Sequence, residues 1–272
     1  MQKTIFITGA SRGFGKLWTE AFLKRGDKVV ATARNIKSLE NLAKEYPDNF
    51  LPLQLDVTNR EDCFATVKKA QEYLGTLDVV INCAGYGLFG AVEETSDEDT
   101  RNLMETNFFG LVWVTKATLP IMRQQGKGHI IQVSSLLGVN PLPLMGMYSA
   151  SKFAMEAFSE TLAMEVKDFG IKVTILEPNA YATDFTSVSA IHAESMEEYG
   201  PLKTAVYEGF TDDIFGVPEA TVKAVCKLID STEPPLRLFL GKHGLPTVSQ
   251  TYKDRLATWE EWKEVSFEAH GK

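Results

Sequence analysis

The chain is poor in the residues that build metal and redox centres. Its 272 residues include three cysteines (Cys63, Cys83, Cys226) and four histidines (His129, His192, His243, His270). Neither set has metal-ligand spacing, and three scattered thiols do not make a disulfide framework. The expectation is no metal, and reduced thiols in a cytoplasmic protein. No apolar run approaches the ~20 residues that cross a bilayer. The N-terminus opens directly on a strand-like segment, without a basic region and apolar signal segment. Positive charge is also short: 28 Lys and Arg against 36 Asp and Glu give a net charge of -8. That balance argues against nucleic acid or an anionic membrane as partner. Repeats, low-complexity tracts and domain linkers are absent too.

What is present is an ordinary globular composition, 44% apolar and 24% charged, in a chain long enough to bury a full core. Short apolar runs suggest strands at Thr4–Thr8, Lys28–Ala33, Phe50–Leu55, Leu77–Cys83, His129–Ser134, Lys172–Leu176 and Leu236–Leu240. Most are apolar on both faces, as in parallel strands covered on two sides. Helical periodicity lies between them, at Phe14–Arg25, Lys37–Tyr46, Arg60–Tyr73, Glu98–Gln125, Ser149–Asp168 and Pro218–Asp230. In the long fourth helix, Gly110 and Pro120 are candidate bends. The alternation predicts one α/β domain over 1–272, a doubly wound, Rossmann-type parallel sheet of about seven strands with helices on both faces. Residues 184–216 break the pattern and, following the sixth strand, are expected to form a substrate-binding lid. Residues 244–272 read as a C-terminal helical extension. Trp259 and Trp262 within it are expected to pack on the domain or on a subunit partner.

The first strand runs into Thr8-Gly9-Ala10-Ser11-Arg12-Gly13-Phe14-Gly15, a turn with glycines spaced G-x-x-x-G-x-G. Glycine permits a tight turn and a close approach of backbone to a pyrophosphate, while the helix N-terminus offers free N–H groups to the anion. An acid at the end of the second strand would hold the ribose hydroxyls of NAD and repel a 2′-phosphate. Ala33 occupies that place, Arg34 follows it, and Arg12 sits in the loop. Two guanidiniums and no acid point to NADP(H).

A Tyr-x-x-x-Lys pair at the start of a helix puts phenol and ammonium on one face. Two occur, Tyr148/Lys152 and Tyr199/Lys203. Composition predicts fewer than one, so spacing alone decides nothing and setting must. Gly200-Pro201 interrupts the second pair, which is not expected on a continuous helix. Tyr148 follows Ser135, which lies just after the fifth strand. An ammonium some 5 Å from a phenol, at an effective dielectric near 20, contributes roughly 3 kcal/mol, about two pKa units. That would bring Tyr148 towards neutrality as an acid or base.

Together these segments resemble the short-chain dehydrogenase/reductase family over about residues 3–240. The glycine loop, through Gly9, Ser11, Arg12, Gly13, Phe14 and Gly15, matches its cofactor motif. Asp56-Val57 matches its adenine contact, and Asn82-Cys83-Ala84-Gly85 its Asn-Asn-Ala-Gly element, with Cys83 for the second Asn. Asn107, Ser135, Tyr148 and Lys152 match its catalytic tetrad. The family's Pro-Gly after the sixth strand is Pro178-Asn179 here, Asn being the residue other than Gly most tolerant of positive φ. Thr183 matches the contact to the nicotinamide end.

The resemblance implies reversible hydride transfer between a nicotinamide and a carbonyl or alcohol carbon. Tyr148 would exchange the proton and Lys152 would hold the nicotinamide ribose. Ser135 would bond the substrate oxygen, and Asn107 would support the site and a water-linked proton route. Commonly a dimer or tetramer, the family also implies a homo-oligomer. Tyr86, Leu136, Leu137, Leu142, Pro143, Met145 and the loop after Thr183, with Phe185, form the expected pocket wall. They are mainly apolar and suit a hydrophobic ketone, aldehyde or secondary alcohol. One alternative is a 3-oxoacyl-carrier-protein reductase, disfavoured by the net acidity and by Glu194, Glu197 and Glu198. A second is a non-catalytic NADP(H)-binding regulator, and a third an epimerase or dehydratase of the related longer-chain group.

Overall fold

The computed structural model describes residues 2–271. The first half lays down β1 (Thr4–Ile7), α1 (Gly13–Arg25), β2 (Lys28–Ala33), α2 (Glu40–Glu45), β3 (Phe50–Gln54), α3 (Arg60–Leu74) and β4 (Val79–Asn82). There follow a short β5 (Gly87–Phe89), α4 (Asp97–Met104), α5 (Gly110–Gln125), β6 (Gly128–Val133), α6 (Gly146–Val166) and β7 (Ile171–Pro178). The chain closes with β8 (Ala190–His192), α7 (Gly200–Glu208), α8 (Ala220–Asp230), β9 (Arg237–Leu240), α9 (Gly244–Glu261) and α10 (Lys263–Glu268).

Seven strands form one parallel sheet in the order β3-β2-β1-β4-β6-β7-β9. Alternate side chains feed two separate cores. Ile5, Ile7, Val29, Ala31, Val79 and Ile81 face α1, α2 and α8, with Trp18, Phe22 and Val225. Phe6, Val30, Val80 and Ile130 face α3, α5 and α6, with Val67, Val114 and Leu162. This two-sided burial explains why the strands read as apolar throughout. The order reverses between β1 and β4. Ligands of open α/β sheets bind at such a switch point, beyond the carboxyl ends of the strands.

Three local features depart from the expectations. The long fourth helix is regular through Pro120, which lies inside α5. Its irregularity is instead a π-helical turn at Glu105–Phe109, between α4 and α5. Residues 184–216 carry their own structure: β8 pairs in parallel with β5 to make a second, two-stranded sheet. Gly216 N–H donates to Ala180 O and Ala182 N–H to Gly216 O, tying the two ends of the segment together. Trp259 and Trp262 do not pack on the domain; they are 62% and 60% exposed. The inner side of α9 holds instead through Thr251, bonded to Asn140, and Arg255 over Phe153. No described helix is long and apolar enough to cross a membrane. No group of three or more His, Cys, Asp or Glu among the described residues is arranged to hold a metal.

Candidate active site

The crevice at the switch point is built by backbone packed too closely for side chains. Gly9 has φ +72, and a Cβ there would fall 2.7 Å from Ala84 Cα. A Cβ on Gly15 would lie 2.3 Å from Gly9 O. Thr8 Oγ1 accepts from Cys83 N–H (3.1 Å) and Ala84 N–H (3.2 Å), joining the ends of β1 and β4. Gly13 (φ +52) opens α1, which has no side-chain cap and no acid in its first turn. Such an end offers backbone donors to an anion. Ser11 is half-buried in the turn. The side chain of Phe14 turns inward, stacked on Trp18 at 5.0 Å and edge-on to Tyr181 at 5.2 Å, so only its backbone belongs to the loop.

Around the rim, Arg34 is exposed beside buried Ala33 at the end of β2. Arg12 donates to Val188 O at 3.3 Å, reaching the 184–216 segment. Neither arginine is ion-paired among the described residues. Asp56 is exposed after β3, its Oδ1 accepting from Thr58 N–H and Oγ1. Val57 is buried against Gly110. Asn82 Nδ2 donates to Gln132 Oε1 (2.9 Å) and Thr115 Oγ1 (3.2 Å), fixing the strand end. Ala84 and Gly85 line the floor, where a Cβ on Gly85 would lie 3.1 Å from Asn107 Oδ1 and 3.8 Å from Lys152 Nζ. Buried Pro178 ends β7, and Thr183 Oγ1 caps the next turn by accepting from Phe185 N–H. Asn179 does not adopt positive φ; the only described residue other than glycine that does is Leu144 (φ 64). The Asn179 amide donates to Ala180 O and Ile214 O, anchoring the return of the 184–216 segment.

Tyr148 and Lys152 stand one turn apart near the start of α6, 4% and 5% exposed. Lys152 Nζ donates to Val133 O at 2.8 Å and lies 5.6 Å from the centroid of the Tyr148 ring. Burial pushes the Tyr148 pKa above its usual value, opposed by a hydrogen bond from Ser135. This is opposite to the expected direction. The ammonium alone would lower the pKa, but desolvating a phenolate in the same closed site costs more. Lys152 bears that cost as well: burial lowers its pKa to about 8, against the pull of Cys83 and Glu156. Ser135 combines two roles that the sequence set in competition. Its Oγ accepts from Leu137 N–H at 3.1 Å as a turn cap, and it sits beside Tyr148. Ser134, its neighbour, faces Glu156.

Asn107 is fully buried at the π-turn. Its Oδ1 accepts from Tyr86 N–H (3.0 Å), and its Nδ2 donates to Tyr86 O (3.0 Å) and Ser151 Oγ (3.2 Å). Ser151 Oγ in turn donates to Tyr148 O. One amide thus ties the turn after β4 to α6. A π-turn turns a side chain out of α-helical register, and such turns concentrate at functional sites.

Above Tyr148 lies an apolar cluster of Leu88, Leu103, Leu137 and Met145, packed by Tyr86, Phe89, Phe185 and Ile191. Phe185 meets Tyr148 edge-on at 5.4 Å. Gly87 makes room for it: a Cβ there would be 3.1 Å from Phe185 Cζ. Of the expected wall, Tyr86, Leu137, Met145 and Phe185 converge. Leu136 is half-buried outside the cluster, and Leu142 is 38% exposed. Leu88 and Phe89 were missed because β5 is only three residues long and pairs with a distant segment.

The second pair serves elsewhere. Pro201 falls in the first turn of α7, where its missing N–H costs nothing. Tyr199 ends the preceding 3-10 turn and donates to Glu93, while Lys203 bonds Glu94 and Ser195. Glu94 also accepts from Met196 N–H, and these bonds hold its carboxyl pKa down to about 2.

The family model for short chain dehydrogenases matches residues 3–193. The chain belongs to the short-chain dehydrogenase family. It is 39% identical to oxidoreductase BOA17 of Botryotinia fuckeliana, over 98% of both chains. To a 3-ketodihydrosphingosine reductase of Bacteroides thetaiotaomicron it is 37% identical over 87% of each. The crystal structure of a short-chain dehydrogenase from Streptomyces avermitilis superposes with a TM-score of 0.88, at 35% identity and 98% coverage of both chains. The seven-stranded parallel sheet is the family's fold, and the chain is an oxidoreductase of that family.

Proposed function

We propose that the protein is an NADP(H)-dependent reductase of hydrophobic ketones or aldehydes, able to run in reverse on secondary alcohols. The observation that carries this reading is the gathering of Ser135, Tyr148 and Lys152 beside the glycine cradle and beneath an apolar wall. The cradle fits a dinucleotide, since Gly9 and Gly15 let the backbone close up without side chains, a Cβ on Gly13 would meet nothing within 4 Å, and α1 begins there uncapped. Gly9, Ser11, Gly13 and Gly15 would hold the pyrophosphate, Asp56 and Val57 the adenine, and Lys152 and Thr183 the nicotinamide end. Arg12 and Arg34, which have no carboxylate partner among the described residues, with Ala33 in place of an acid, favour a 2′-phosphate. When bound, the nicotinamide supplies or takes up the hydride.

The chain's own residues handle orientation and the proton. Ser135 Oγ–H donates to the substrate oxygen, stabilising charge as it grows there. Tyr148 gives its phenolic proton to that oxygen. Its raised pKa keeps the proton in place at neutral pH, which suits an acid working in the direction of reduction. Lys152, charged below about pH 8, offsets the phenolate left behind. Asn107 holds Tyr86 and Ser151 and so fixes the floor and the α6 backbone. Residues 184–216 act as the lid, with Phe185 excluding water over Tyr148. The wall of Leu88, Leu137, Met145, Phe185 and Ile191 has no cation for a carboxylate. It suits a long aliphatic or aryl ketone, and the Bacteroides relative is named for reducing 3-ketodihydrosphingosine.

The test is a parallel screen of aliphatic, aryl and steroid-like carbonyls with NADPH and NADH. Consumption of NADPH with apolar ketones supports the reading. Tight NADPH binding with no consumption across the panel would replace it with a cofactor-binding regulator, and a clear NADH preference would remove the role given to Arg12 and Arg34.

A further inference from the structure

Tyr148 and Lys152 begin a stripe that continues along the same face of α6. Residues four apart on a helix share a face, and the next two are Glu156 and Glu160. Glu156 is 4% exposed, and Glu177, at the end of β7, is fully buried. Both bond the same atom, Nη1 of Arg237 on β9, through Glu156 Oε2 and Glu177 Oε1. Arg237 also bonds half-exposed Glu160 through Nη2 at 3.0 Å. Each buried carboxylate keeps one oxygen without a partner, Glu156 Oε1 and Glu177 Oε2. Gly138 makes space for the group: a Cβ there would fall 2.5 Å from Ser134 Oγ and 2.7 Å from Glu156 Oε1. The cluster therefore reaches from the outer edge of the sheet to the residue next to Ser135, and to within one helical turn of Lys152.

The charges do not balance if every acid is ionised. Glu156, Glu177 and Glu160 then face one guanidinium and the Lys152 ammonium, and the two buried carboxylates share a single guanidinium nitrogen, where like charges disfavour double ionisation. With one proton shared, the pair and Arg237 are neutral together. We propose that Glu156 and Glu177 are a proton-sharing carboxyl pair on Arg237, acting as positioning residues that hold the charge of Lys152. The inference rests on the reductase reading for its effect on turnover, but not for the shared proton.

The groups facing the pair are Arg237 from β9, Ser134 after β6, and Lys152 and Glu160 from α6; those facing Lys152 are Glu156, Tyr148 and Cys83. Burial, then the charge of Glu156, raises Glu177 to about 7, against Arg237. Burial also raises Glu156. The pair thus gives up its shared proton just below the range where Lys152 would give up its own. The negative charge so released lies one turn from the ammonium and makes that ammonium harder to deprotonate. The wild-type site keeps Lys152 cationic to higher pH than burial alone would allow.

Glu156→Gln and Glu177→Gln each retain a carbonyl for Arg237 and cap the cluster at a single carboxylate charge. The pH profile of kcat/KM for NADPH-dependent ketone reduction should then lose its basic limb earlier, by roughly one pH unit. A purely structural role would lower kcat at every pH and leave the limb in place, and that result would overturn the proposal. The second arm is infrared difference spectroscopy on the full chain without substrate, titrated from about pH 6 to about pH 9, across the window where these groups titrate. A protonated-carboxyl stretch should fade over that range in the wild type and be missing in both variants. Its absence from the wild type would overturn the proposal whatever the enzyme reduces. The wild-type spectrum also decides if one variant fails to fold.

Discussion

Replacing Asn107 with alanine tests the link between the π-turn and the site. Asn107 is closed to water and makes three hydrogen bonds, two to the backbone of Tyr86 and one to Ser151 Oγ. Alanine removes all three and leaves the Tyr86 amide, the Tyr86 carbonyl and a buried hydroxyl with poorer partners. At ~1–1.5 kcal/mol for each bond, the loss is about 3–4.5 kcal/mol. For a chain of this size each kcal/mol lowers Tm by roughly 2–4 °C, so Tm should fall by roughly 6–18 °C. Thermal unfolding followed by circular dichroism reads this directly. Asn107→Asp keeps the bond from Tyr86 N–H but loses both donors and buries a charge, so it should be no more stable than the alanine variant. A drop below about 2 °C for Asn107→Ala would refute the view that this amide holds the two segments together.

Gly9→Ala should abolish tight NADPH binding, since the new Cβ meets the Ala84 backbone at 2.7 Å from a residue held at φ +72; calorimetry showing wild-type affinity would contradict the cradle. Ala33→Asp places a carboxylate where a 2′-phosphate is proposed, and should weaken NADPH at least about tenfold while strengthening NADH. Buried His129 bonds Thr174 and has a pKa lowered to about 4 by burial. The unfolded state therefore binds a proton that the native state does not between about pH 6.5 and 4, and His129 costs stability as pH falls through that window. His129→Gln should flatten that part of the acid-side stability curve by up to about 3 kcal/mol, measured by urea unfolding at several pH values. Lys203→Met frees Glu94 and should raise KM for ketones more than it lowers kcat, if residues 184–216 are a lid anchored there.

The fold was legible because two-sided burial writes itself into composition: Val29–Ala33 and Val79–Ile81 have nowhere polar to point. The glycine cradle was legible because no other residue can stand at Gly9 or Gly15. Features that depend on distant partners were not. β5 and β8 are three residues each, and neither reads as a strand until they meet. The π-turn needs the spatial relation of Asn107 to Tyr86, which no periodicity reports. Asn179 stands where the family has Gly and tolerates positive φ, yet does not adopt it: its amide serves the backbone around it, and Leu144, whose carbonyl accepts from Gly90, is the described residue other than glycine that takes positive φ. The direction of the Tyr148 pKa was missed because spacing reveals the neighbouring charge and not the burial. Glu156, Glu177 and Arg237 come from three separate elements, and only the sheet order makes them one cluster.

The central claim is that the Tyr148 phenol delivers the proton while the cradle binds the cofactor without it. Tyr148→Phe removes one oxygen from a fully packed ring and leaves the edge contact with Phe185 available. Measured together on this variant, NADPH affinity should stay within about threefold of wild type, since phosphate and adenine contacts lie elsewhere. Ketone reduction should fall by roughly 10²–10⁴-fold. Reduction at near wild-type rate with NADPH still bound would contradict the account.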